Sequence, residues 1–146
     1  MQHFVLALGV AASAATGMSA FDTSVIPAAQ QEIAASCGTS PAISVTWRDF
    51  GDDADASAGL IEGGLGFLSG AFGEVCKDPG LKAEASKQIS KIVLSQAYGA
   101  ADPVIYLTQG TLHVEYLWVK GQPGPDSGFV RDEIASRLKG EEAEAP

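Results

Sequence analysis

The chain has 146 residues, a length that suits one domain. With 46% hydrophobic and 18% charged residues it has the composition of a folded protein, which argues against overall disorder. The net charge of −9 repels phosphate backbones and anionic headgroups, so nucleic acid is not an expected partner; the charge reads as serving solubility, with attraction to a cationic partner as the alternative.

Phe4 to Ala15 is an uncharged apolar run, and small residues continue to Ala20. This pattern reads as a signal peptide over 1–20, with a cut before Phe21, although only His3 stands where a basic start belongs. The run is shorter than the ~20 residues that span a bilayer. The expected organisation is therefore a leader over 1–20, a single domain over 21–139 and an acidic, disordered tail over 140–146. The first twenty residues hold no Asp, Glu, Lys or Arg, so the mature chain keeps the full negative charge.

Cys37 and Cys76 are the only cysteines. In an exported chain an even pair of distant thiols is expected to join as a disulfide. They do not form a Cys-x-x-Cys redox pair, and with no adjacent histidine they do not make a zinc set. No metal or cofactor is expected.

In chain order, Asp22, Thr23 and Ser24 offer caps, Pro27 suits a first turn and Gly38 a stop, predicting a helix over 25–36. From Pro41, Ile43, Val45 and Trp47 alternate with Ser44, Thr46 and Arg48, the period of a strand. Gly51-Asp52-Asp53 reads as a turn. Over 55–76, Ile61, Leu65, Leu68, Phe72 and Val75 form one apolar helical stripe. Asp78-Pro79 opens another helix, expected over 80–97 from Leu81, Ala85, Ile89 and Ile92, although Ile92-Val93-Leu94 also suits a strand.

A hairpin follows, 104–108 and 111–119, around Gln109-Gly110. Its register sets Thr108 opposite Thr111, Tyr106 opposite His113 and Val104 opposite Glu115. Ile105, Leu107, Leu112, Val114, Tyr116 and Trp118 then share the core face. After a loop over 121–128, Asp126 or Ser127 caps a last helix that carries Val130, Ile134 and Leu138 on one side. The sum is an α+β domain: a small three-stranded, mainly antiparallel sheet packed on one face by about four helices, with one disulfide.

Two features invite functional readings. The helix over 57–75 has a second stripe of Gly59, Gly63, Gly66, Gly70 and Gly73. Glycine weakens a helix by about 1 kcal/mol relative to alanine, so five at one spacing call for a reason. Close packing against a neighbouring element is the expectation; self-association or membrane contact is the alternative. In being glycine-rich and apolar this stretch resembles viral fusion peptides, and that likeness implies membrane insertion.

His113, the only histidine beyond the leader, shares a face with Tyr106 and Glu115. The expectation is a polar or ligand-contacting surface; a small hydrolase or isomerase using His113 and Glu115 is the alternative. Asp52, Asp53 and Asp55 suit helix capping better than a calcium loop, because the downstream glutamate is missing. The function expected is that of an exported, periplasmic or secreted, interaction module without catalytic activity, whose partner is another envelope or extracellular protein.

Overall fold

The structure, a computed structural model, describes residues 21–47, 50, 54–97, 103–118 and 125–142. The leader, the Gly51-Asp52-Asp53 turn, the start of the loop after the hairpin and the end of the acidic tail lie outside the described residues.

A π-helical turn, Phe21–Val25, runs directly into α1, Ile26–Cys37. Val25, rather than Asp22, Thr23 or Ser24, stands at the N-cap of α1 and makes no side-chain cap bond, because the π turn carries the helical backbone past the expected capping residues. Ile26, Ala29, Ile33 and Cys37 are the buried positions of α1. Gly38 ends the helix at φ 73°, and its N–H donates to the Ala34 carbonyl at 2.9 Å. Phe21 is buried and meets Trp47 edge-on, with ring centroids 5.2 Å apart.

Strand β1, Ala42–Val45, leads by way of Phe50 to α2, Ala54–Val75. The expected apolar stripe of α2 is its inward face: Ile61, Leu65, Leu68, Phe72 and Val75 are all buried. Asp78 then caps α3, Pro79–Gln88, by accepting from Gly80 N at 2.8 Å and Leu81 N at 3.2 Å.

The chain leaves α3 earlier than its periodicity suggests. Lys91–Gln96 is a strand, β2, rather than the end of a helix over 80–97. Ile92 and Leu94 point into the core while Lys91, Val93 and Ser95 alternate away from it. β2 is the inner strand between β1 and β4, parallel to both, and this pairing outweighs the local helical spacing.

Strands β3, Val104–Thr108, and β4, Thr111–Tyr116, form the hairpin in the expected register. Gln109 and Gly110 both have positive φ, 50° and 83°, as a type I′ turn requires. Asp126 caps α4, Ser127–Leu138, by accepting from Phe129 N at 3.1 Å. Gly140 N to Arg137 O and Glu141 N to Ser136 O close α4 in a Schellman motif.

The fold is thus α+β, with four α-helices among the described residues, but the sheet has four strands in the order β1-β2-β4-β3 and is mixed, not three-stranded and mainly antiparallel. The helices cover the face that carries Ile43, Ile92, Leu94, Ile105, Leu112 and Val114, and one core joins them to the inward residues of α1, α2 and α4. Cys37 and Cys76 are joined as a disulfide, with Cα atoms 5.3 Å apart, which ties the end of α1 to the end of α2. The bond points to an oxidising, non-cytoplasmic compartment. No described helix is long and apolar enough to cross a membrane.

Trp118 closes the core beyond β4. Its ring meets Tyr116 edge-on at 5.1 Å, and its Nε1 donates to Ser95 O at 3.2 Å. Its backbone N donates to Gln96 Oε1 at 2.7 Å, and its carbonyl accepts from Ser57 Oγ at 3.0 Å. The indole lies directly against Gly64 of α2: a Cβ at that position would stand 2.3 Å from two of its ring carbons. Here glycine is required by the close approach of an aromatic ring.

Candidate functional site

The face of the sheet turned away from the helices is built by the period-two alternation of its strands. In one row, Ser44, Val93, His113 and Tyr106 lie side by side across β1, β2, β4 and β3. In the next, Ser95, Glu115 and Val104 do the same, and Thr46 Oγ1 is 3.2 Å from Ser95 Oγ. All of these side chains are half-buried. At about 4.8 Å per strand spacing, the platform is about 15 Å wide.

The structure brings Tyr106, His113 and Glu115 together. The rings of Tyr106 and His113 stack with centroids 4.5 Å apart and planes 9° apart. The Tyr106 hydroxyl donates to Glu115 Oε2 at 2.6 Å, a short bond to a charged acceptor. That bond favours the protonated phenol, and desolvation and the nearby negative charge act the same way, so the Tyr106 pKa is pushed up to about 12. Glu115 spends this oxygen on Tyr106, a diagonal cross-strand neighbour.

A phenol with a raised pKa favours folding as long as the unfolded chain keeps its proton. The contribution of this group is therefore complete below pH 10, the ordinary tyrosine value, and is lost as the pH rises from there through about 12. Glu115→Gln removes the carboxylate charge, so the Tyr106 titration will move down toward 10. Ring resonances of Tyr106 followed by NMR against pH will report it, and an unchanged midpoint would show that Glu115 does not hold the phenol.

The glycine stripe lies along the outer side of α2. Nothing among the described residues lies within 4 Å of a Cβ built at Gly59, Gly63, Gly66 or Gly70, and at Gly73 the nearest atom is Ser36 Oγ at 3.5 Å. Among the described residues, then, no neighbour packs closely on these four glycines. Phe67, 43% exposed, lies on the same side of α2, four residues after Gly63 and three before Gly70. The α2 glycine against which a neighbour presses most closely, Gly64, falls on the inward face, three residues after Ile61 and four before Leu68.

Asp52 and Asp53 lie outside the described residues, and no cluster of metal-ligating side chains occurs among those described. Arg137 is not among the residues its sequence context marks as functional. It is buried on the last turn of α4 and donates through Nη1 to the Ile105 carbonyl at 3.3 Å. Its signal was a single cation between Ile134 and Leu138, on the inward side of an otherwise amphipathic helix. Compared with known proteins, the chain has no significant match among family models, curated proteins or solved structures.

Proposed function

We propose that the protein is an exported, periplasmic or secreted, binding module without catalytic activity, and that another envelope or extracellular protein docks on the open face of its sheet. The observation that carries this is the Tyr106–His113 stack braced by Glu115. Two flat rings held parallel on a half-buried sheet present a rigid aromatic surface, and tyrosine gives contact area at low entropic cost. The polar groups around it, Thr46, Ser95 and Glu115, engage one another or Tyr106 and so help fix the surface before a partner arrives.

The acid–base reading draws no support from this geometry. A phenol pushed up to about 12 holds its proton throughout the physiological range, and the Glu115 oxygen that would work with His113 is engaged by Tyr106. The disulfide supports the exported setting, and the charge of −9 favours a cationic surface on the partner.

The test compares the disulfide-bonded protein with a Tyr106→Ala/His113→Ala double variant as baits for envelope and medium fractions, cross-linked in place. The expected result is a cross-linked partner that the wild type holds and the double variant loses, with cross-links mapping to β2, β3 and β4. Identical captured sets for the two baits, or turnover of a substrate that disappears in His113→Ala, would reverse the reading.

A further inference from the structure

A recess of about 650 Å³ opens at the outer edge of β3, between the ends of α3 and α4. Its size is that of a small-molecule site. Arg137 borders it, with only 7% of its surface exposed. Its guanidinium carries five N–H donors. Beyond the single bond to Ile105 O, Nη1 stands 3.7 Å from Glu133, and the buried Nε meets no acceptor among the described residues. A buried guanidinium with donors unspent is costly, and an acceptor in the recess relieves that cost once the Arg137 side chain turns to meet it.

The bond to Ile105 also fixes the direction of the strand edge. The Ile105 carbonyl points away from β4, so the backbone N–H and C=O of Leu107, two residues on, point out from the same edge, where Leu107 lines the recess. Lys87 adds a second cation to the lining, paired only loosely with Glu84 at 3.9 Å. Glu141 and Glu142 add two carboxylates on the opposite side of the charge balance. A simple anion meets repulsion from the glutamates, and a simple cation meets it from Arg137 and Lys87. A ligand carrying both charges satisfies both.

We infer that this recess binds a small zwitterion, an amino acid or short peptide. Its carboxylate rests on Arg137, its ammonium faces Glu141 and Glu142, and a peptide's amide pairs with the Leu107 edge. The inference stands apart from the partner surface on the open face, and its test leaves His113 untouched.

Calorimetric titration of the full-length, disulfide-bonded protein with L-alanyl-L-alanine is the experiment, with its N-acetylated form, its C-terminal amide and free alanine as companions. Each blocked form is expected to bind at least about tenfold more weakly than the free dipeptide, since each loses one charge-assisted contact. Arg137→Lys keeps the charge but loses the planar fork and is expected to weaken binding by a similar factor. The double variant Glu141→Gln/Glu142→Gln changes only exposed side chains, so its loss of affinity reads the ammonium contact without risk to the core. Tighter binding of the dipeptide than of alanine assigns a peptide, and equal binding assigns an amino acid. No heat at millimolar dipeptide, blocked forms that bind as well as the free one, or Gln variants indistinguishable from wild type would each overturn the assignment.

Discussion

Replacing Cys37 and Cys76 together by alanine is expected to lower the unfolding free energy by about 4 kcal/mol. The bridge closes a loop over a sequence separation of 39, and the gain from such a loop comes in the chain-entropy model from restricting the unfolded state. Both sulfurs are buried among the ends of α1 and α2, so the variant also loses a little packing there. In a domain of this size the loss corresponds to a fall in melting temperature of about 15 °C. Urea denaturation will show a lower midpoint together with a steeper dependence on denaturant, because the unlinked chain exposes more surface. A loss below about 1 kcal/mol would mean that packing alone holds the two helix ends together. The same chemistry tests the compartment. Protein isolated from its native host under non-reducing conditions should carry no alkylatable thiol and should begin at Phe21. An unprocessed N-terminus with two free thiols would overturn the exported reading.

Alanine substitutions along α2 are expected to split in sign. Gly59→Ala, Gly63→Ala, Gly66→Ala and Gly70→Ala place a methyl in open space on a helix, so each should stabilise by about 1 kcal/mol and the four together by about 3 to 4 kcal/mol. Gly64→Ala should instead destabilise by about 1 to 2 kcal/mol, because its methyl collides with the Trp118 indole, which is bonded to the Ser95 carbonyl while Ser57 and Gln96 fix the Trp118 backbone. Equilibrium unfolding of the five single variants and the quadruple one checks this, with sedimentation velocity alongside. Stabilisation without change in sedimentation would show that the stripe and Phe67 face water. Destabilisation of the quadruple variant, with a fall in apparent mass, would show instead that a second copy rests on them.

The elements that were legible in the sequence are those whose signals are local. Asp78-Pro79, Asp126 and Gly38 each act within four residues, and each caps or stops the helix assigned to it. The hairpin register followed from a two-residue turn, and with it came the juxtaposition of Tyr106 and His113. What the sequence obscured depends on distant partners. Ile92-Val93-Leu94 reads equally as a helical turn or a strand, and the decision is made by β1 and β4, whose register partners for Ile92 are Ile43 and Leu112. The bond from Tyr106 to Glu115 was hidden for a related reason: a diagonal neighbour on the paired strand outcompetes the residue two positions along the same one. The glycines show the reverse case. A regular spacing drew attention to the outward set, while Gly64, whose position on the apolar stripe marks it as inward, has its role only because a tryptophan 54 residues later lies on it.

The central place of β2 governs how the sheet is assembled. Its two partners run parallel to it, so neither can be reached by a tight turn, and the chain must close long loops before either contact is made. The β3–β4 hairpin needs no such closure and is able to form within microseconds. Until β2 arrives, the inner edge of β4 offers unpaired backbone groups to any other chain. Refolding at high concentration is therefore most exposed to intermolecular strand pairing in the interval before that docking step, and the Cys37–Cys76 link shortens the interval by tying the helices on either side of β1 together in advance.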